Sequence, residues 1–289
     1  TLQDYLASLP IDSSDPARPD NIQTTNLFIT GPTWVLRPWD RTRMQLEARY
    51  ANTYAETTDE FNSNRLSFAV RGFHQTSPLD TWSWHVEFHD VNADDDIATV
   101  DDYERRDIYG RYERALPRWS LAAEAGVTRV RPEGQGWDEE PHVLVEATWT
   151  PNDTLRANVA LSHRISDAAF DIIRNAPRAG DFNLDYPIPS LQIDEPTAQL
   201  FVEDRAELRL RNQGRGNTLY VNAYWREQEY LGNPLLDQSR HGASMALHRQ
   251  VRPAFSIGGY VRADQRRFEA SSRRDRDLEG GVDFTWWWL

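Results

Sequence analysis

The stretch Thr150–Arg164, TPNDTLRANVALSHR, opens on a polar turn and then alternates. Leu155, Ala157, Val159 and Leu161 fall on one side of an extended strand, and Arg156, Asn158 and Ser162 on the other, because successive side chains of a strand point to opposite faces. In a soluble sandwich the apolar side would need a second sheet or helices to cover it. Whether such cover exists has to be read from the rest of the chain.

The pattern recurs along the whole sequence. Short polar turns stand at Pro38, Pro78, Pro117, Pro151, Gly214 and Pro253, spaced 40, 39, 34, 63 and 39 residues apart, and the one long interval holds a single insertion. After each turn comes an alternating segment, a longer polar stretch, and a second alternating segment, which is the signature of a β-hairpin. Met44, Leu46, Ala48 and Tyr50 alternate with polar residues; so do Trp82, Trp84, Val86 and Phe88, then Val143, Val145, Ala147 and Trp149, then Leu219, Val221, Ala223 and Trp225, and finally Leu278, Val282, Phe284 and Trp286. Strands of about ten residues exceed the usual five or six of globular sheets and match what a tilted strand needs to cross a bilayer.

Composition narrows the alternatives. Hydrophobic residues make up 39% of the chain. In a soluble domain of this size that share gives a thin core, and no run approaches the length of a membrane helix. The net charge of -13 argues against a nucleic-acid partner, since phosphate binding needs a concentrated basic surface. All 32 cations are Arg; the planar guanidinium suits closely packed ion-pair ladders. Without cysteine there is neither a disulfide framework nor a thiolate metal site.

The ends of the strands differ. Trp39, Trp82, Trp119 and Trp149 lie at or near short turns, and Trp286 and Trp288 stand where the next turn is due, as in an interfacial aromatic girdle. The long connections, among them VNADDDIATVDD, RPEGQGWDEEP and the insertion 166–196, fall at the opposite end. These features predict an all-β chain: a transmembrane antiparallel β-barrel of the bacterial outer membrane, with at least 14 strands, short periplasmic turns and long extracellular loops. A large soluble β-sandwich or a propeller is the competing architecture. Residues 1–21 are read as a periplasmic or luminal N-terminal segment and 22–289 as the barrel, with a further hairpin expected beyond Leu289. The turns and the last segment account for thirteen strands, so a fourteenth is sought in NIQTTNLFITGPTWVLRP, where Gly31 and Pro32 either break two pieces or bulge one long strand.

On that fold the lumen-lining candidates are Arg156, Asn158, Arg205, Glu207, Arg209, Arg211, Asp277, Glu279, Asp283, His85, Glu87 and His89. Opposite charges among them can pair wherever their strands adjoin. Alternate residues on one strand sit about 7 Å apart, so His85, Glu87 and His89 alone do not make a metal site. Ser162 and His163 point to opposite faces and cannot form a nucleophile–base couple. No catalytic residue, metal or cofactor is expected. The insertion carries Phe170, Ile172, Ile173, Arg174, Arg178, Asp181, Asp185 and Tyr186, a mixture of apolar and charged residues that predicts a lid or constriction resting on the barrel mouth.

The hairpin LHRQVRPAFSIGGYVRADQRRFEASSRRDRDLEGGVDFTW, Leu247–Trp286, resembles those of outer-membrane β-barrel proteins from exopolysaccharide and PEP-CTERM (exosortase) gene clusters, which repeat an apolar strand, an R-x-x-x-P turn, another strand and an Arg/Asp-rich loop. The resemblance implies an export channel for an extracellular polysaccharide. Its partners would be outer-membrane lipid and lipopolysaccharide, the polysaccharide chain and periplasmic export proteins. A general diffusion porin and a noncatalytic barrel scaffold of an envelope complex are the alternatives.

Overall fold

Period-two alternation is realised over fifteen strands. These are β1 (Leu2–Pro10), β2 (Ile22–Thr30), β3 (Thr33–Trp39), β4 (Thr42–Ala55), β5 (Ser63–Gln75), β6 (Asp80–Ala93), β7 (Tyr103–Leu116), β8 (Trp119–Pro132), β9 (Asp138–Trp149), β10 (Leu155–Ser166), β11 (Phe201–Gln213), β12 (Asn217–Tyr230), β13 (Gln238–Arg252), β14 (Phe255–Phe268) and β15 (Arg274–Trp286). The structure is a computed structural model and describes residues 2–10, 22–55, 62–93, 102–167, 199–271 and 273–286.

Strands pair antiparallel in one sheet running from β1 to β15 in chain order, except that β2 and β3 lie end to end along β4. Among the described residues β1 and β15 each have one strand partner. The six short turns read from the sequence each join a hairpin at one end of the sheet, and the long connections leave the other.

The stretch 22–39 is one interrupted strand. Thr30 stands opposite Tyr50 and Thr33 opposite Glu47, so the register along β4 passes through Gly31 and Pro32 without slipping. The Ala48 amide donates to the Pro32 carbonyl at 3.2 Å and holds the junction. Gly31 has a positive φ, and a Cβ there would run into the Ala48 carbonyl oxygen, so only glycine lets the two strands approach. The fourteenth strand of the main path is instead β1, which pairs with β2 from Leu2 opposite Thr30 to Pro10 opposite Ile22. Part of the segment 1–21, read from the sequence as separate from the barrel, thus belongs to the sheet.

The two faces of the sheet differ in chemistry. On one, Phe68, Phe88, Ile108, Val143, Val159, Leu161, Met245, Val261 and Leu278 are exposed across successive strands. Among the described residues no layer covers them. On the other face charged residues are enclosed: Arg65, Arg105, Asp107, Glu124, His142 and Glu207 are all buried. The sheet curls with this polar face inside, because Asp167, just beyond β10, reaches Arg65 on β5 and Tyr103 on β7.

From β4 onward the strands run from 12 residues in β9 to 15 residues in β13, and they extend past the apolar band at the long-loop end. There the outer face turns polar: Arg129 pairs with Glu139, Arg131 with Glu104, and the guanidinium groups of Arg106 and Arg131 lie over the Trp137 ring. An apolar band with charged residues above it is the profile a tilted strand presents to a bilayer and the water beyond.

Candidate functional site: the enclosed polar wall

The inner wall is built from the residues that alternate with the apolar band. On β4 to β7, Arg71 bridges two carboxylates, its Nη1 2.6 Å from Glu47 and its Nε 3.0 Å from Glu87. The Tyr109 hydroxyl donates to Glu87 at 3.0 Å. Glu87 also lies between His85 and His89, at 3.8 and 3.7 Å. The Glu87 carboxylate therefore sits among several donors, which is what an enclosed charge requires.

Aromatic stacking carries the wall onward. The rings of His85 and Tyr109 lie 4.5 Å apart and nearly parallel, and Tyr109 stacks on His142 at 4.6 Å. His142 Nε2 is 3.0 Å from Glu124, which also receives Arg111, itself bonded to Glu113 at 2.6 Å. Deeper toward the long loops, Arg105 makes two bonds to Asp107 at 2.8 and 2.9 Å, and Thr128 donates to the same carboxylate.

A second cluster lies on β10 to β12. Glu203 receives Arg164 at 3.2 Å and Arg226, while Glu207 is shared by Arg205 at 2.7 Å and Arg209 at 2.8 Å through its Nη2. On β12 to β14, Asp264 accepts from Arg240 at 2.7 Å and from the Tyr224 hydroxyl.

At the long-loop end apolar residues join the wall. Val91, Tyr103, Val130, Ile165, Leu200 and Val202 form one buried apolar cluster, which brings β6, β7, β8 and β10 together with the chain around β11. Ile165 and Val202 continue the outward parity of Leu161 and Leu208, yet both are buried, so the tops of β10 and β11 lean inward. Both roots of the insertion start from this inward-leaning end: Asp167 on one side, Leu200 on the other.

The sequence-predicted lumen residues fall as follows. His85, Glu87 and His89 lie together in the first cluster. Arg205, Glu207 and Arg209 form a ladder along one strand. Arg156 and Arg211 stand opposite each other in the β10–β11 register, and Asn158 is opposite Arg209, with its Nδ2 3.1 Å from the Thr148 hydroxyl. Asp277, Glu279 and Asp283 share one face of β15, whose sheet partner is β14, so they do not meet the arginines of β11. Glu279 instead accepts from the Tyr260 hydroxyl at 2.7 Å.

Of the tryptophans, Trp39, Trp82, Trp119, Trp149 and Trp286 are all exposed at the short-turn end, with Trp119 and Trp149 cross-strand partners. Trp82 packs on Tyr112 at 4.7 Å. Trp288 and the constriction candidates Phe170, Ile172, Ile173, Arg174, Arg178, Asp181, Asp185 and Tyr186 lie outside the described residues. Ser162 and His163 separate as expected: Ser162 is opposite Arg205 on the polar face, and His163 meets Asp204 at 2.8 Å on the other.

Sequence reading misses Glu47, Arg71, Tyr109, Glu124 and His142. The signal for Tyr109 is weak because YERRDIYGRYER on β7 is polar on both faces, so alternation does not single out its inner side. His142 and Glu124 are legible, since they occupy the positions between the apolar residues of β9 and β8.

An uncovered apolar outer band, an enclosed polar wall, sequential antiparallel pairing and short turns at one end leave one class of architecture. The chain has the fold of outer-membrane β-barrels. Among solved structures it is similar to the FrpB iron transporter from Neisseria meningitidis (F5-1 variant), with 9% identity and a TM-score of 0.57 over 92% of this chain and 49% of that one. It is similar also to the ferric citrate transporter FecA in its unliganded form, with 10% identity and a TM-score of 0.51 over 98% and 52%. A third is the ferric yersiniabactin uptake receptor FyuA from Yersinia pestis, with 10% identity and a TM-score of 0.50 over 90% and 47%. The chain spans about half the length of these structures. No protein-family model and no curated protein matches its sequence.

Proposed function

We propose that the chain forms a passage across the bacterial outer membrane for a hydrophilic cargo, and that the cargo is an extracellular polysaccharide exported with periplasmic partners. The observation that carries the reading is the inner wall. Its charges are mostly paired within the wall, Arg71 with Glu47 and Glu87, Arg111 with Glu124, Arg205 and Arg209 with Glu207. A wall of paired charges offers many hydrogen bonds to a sugar chain without binding any one residue of it tightly, as a sliding polymer needs. The resemblance of the Leu247–Trp286 hairpin to barrels of exopolysaccharide clusters favours this cargo over others.

A second reading, a channel for small solutes, draws support from the apolar cluster at the long-loop end, which narrows the enclosed space between β6 and β11.

Protein reconstituted in a planar bilayer tests both. The expected result is stepwise ion conductance that falls when a polysaccharide is added on one side, with a smaller effect from its monosaccharide. Conductance indifferent to the polymer would favour the small-solute channel, and no conductance from folded protein would contradict a passage of either kind.

A further inference from the structure

The short-turn end holds the exception to the paired wall. A cavity of about 450 Å³ lies there, between the β7–β8 turn, the β9–β10 turn and the end of β11, and it is lined by Arg118, Thr150, Asp153, Arg156, Arg211 and Gln213 among others. Three of these are arginines. Among the described residues none of the three forms an ion pair with a carboxylate, whereas Arg71, Arg105, Arg111, Arg205 and Arg240 higher on the wall all do.

Two details point to a missing partner. Arg156 and Arg211 are directly opposite each other across β10 and β11, on the polar face, and like charges in that relation repel. Arg211 has its Nη2 bonded to the Gln213 side chain at 2.8 Å and its guanidinium 5.5 Å from the Tyr220 ring, but its buried Nε has no hydrogen-bond acceptor. A buried N–H left without an acceptor is costly, and an oxyanion between the two guanidinium groups would relieve both the repulsion and the unmet donor.

The rim of the cavity is fixed in advance. Asn152 Oδ1 accepts from the Thr154 amide at 3.0 Å, the Thr154 hydroxyl at 2.8 Å and the Leu155 amide at 2.8 Å, which locks the β9–β10 turn. The Thr150 amide donates to the Arg118 carbonyl at 2.7 Å, and the Gln213 amide to the Thr154 carbonyl at 2.7 Å, so both flanking strands are tied to the same turn. Arg215, Arg249 and Arg252 continue the basic edge along the neighbouring turns. In a chain of net charge -13, this end is locally cationic.

We propose that this cavity is an anion-binding site that recognises a carboxylate or phosphate group carried by the cargo, with Arg156 and Arg211 as the bidentate fork and Arg118 at the entrance. Planar guanidinium groups match the two oxygens of either anion. The proposal deepens the passage reading and rests on it for the cargo: it makes the transported polymer an anionic one, met at the short-turn mouth before it enters the paired wall.

Calorimetry on the detergent-solubilised full chain tests the site with three polymers: polygalacturonate for carboxylate, polyphosphate for phosphate, and dextran as the neutral control. One or both anionic polymers are expected to bind, more weakly as salt rises, and dextran is not. The R156Q/R211Q double variant should bind about ten- to a hundred-fold more weakly, the loss expected for charge-assisted hydrogen bonds, and R156K/R211K, which keeps the charge without the fork, should fall between. R129Q, on the outer face, is the control, and the heat-dependent gel mobility of each variant reports its folding. Whichever anionic polymer shows the loss names the group. Unchanged binding in a folded double variant, or dextran binding as well as the polyanions, overturns the proposal. Intact arginine-dependent binding in a protein that never conducts would fault the passage and leave the anion site standing.

Discussion

Replacing Asp167 with alanine is expected to cost about 3–5 kcal/mol of folding stability, because it strands a buried cation. Arg65 donates to the two Asp167 oxygens at 2.8 and 3.0 Å, and the Tyr103 hydroxyl donates to the same carboxylate. The side chains of Arg65 and Asp167 are 4% and 0% exposed, so water cannot replace the lost partner. The pair is also the contact that reaches from β5 to the end of β10, which makes its loss a loss of the inward curl at the long-loop mouth. The double variant R65M/D167L removes both charges together and should recover most of the stability, since an apolar pair of similar volume often matches a buried ion pair. Urea titrations of the barrel folded in lipid vesicles measure both. A cost below about 1 kcal/mol for D167A would mean that the ion pair is not enclosed.

The second large effect separates the two faces of β10. Val159 is 42% exposed in the middle of the uncovered apolar band. Val159→Arg should cost about 2–4 kcal/mol if that band faces hydrocarbon. Asn158, the adjacent residue, faces the polar wall and already stands opposite Arg209. Asn158→Arg should cost less than about 1 kcal/mol, since its charge can reach water and Glu207 lies on the same face. Equal costs at the two positions in the same titration would contradict the assignment of faces.

Both predictions draw on faces of the sheet, and the faces of β10 are legible in the sequence. Leu155 to Leu161 alternate so regularly that shifting the strand by one residue would turn every apolar side chain inward. Hairpin order is legible too, because turns at Pro38, Pro78, Pro117, Pro151, Gly214 and Pro253 mark each return. The strand β1 is not: LQDYLASLP places Leu2 and Leu6 on one side and Tyr5 and Leu9 on the other, so no alternation announces it. Nor does Gly31-Pro32 reveal that the register runs through it, since a glycine–proline pair signals a break just as well.

The polar wall is legible by face and not by partner. Glu207 can be placed inward from ELRLR alone, but its bonds run to Arg205 and Arg209 on the same strand. The acids of β15 have β14 as their strand neighbour among the described residues. The pairing of Asp167 with Arg65 lies beyond any local pattern, because it joins β5 to the residue just beyond β10, a strand that is not its neighbour, and depends on the curl of the whole sheet. The unpaired arginines of the turn end become visible only once the arginines higher on the wall have been matched to their acids.

A sheet with one face against lipid and the other enclosing water-compatible groups must show that difference residue by residue along a strand. The chain has no cysteine, so single cysteines placed in turn from residue 155 to 164 can each carry a nitroxide spin label on the protein folded in vesicles. A period of two is expected: strong relaxation by oxygen, which partitions into lipid, at 155, 157, 159 and 161, and weak relaxation by oxygen at 156, 158, 160 and 162, where any collision with a water-soluble nickel complex should be found instead. Oxygen accessibility without that alternation, or nickel accessibility highest at 157, 159 and 161, would contradict it.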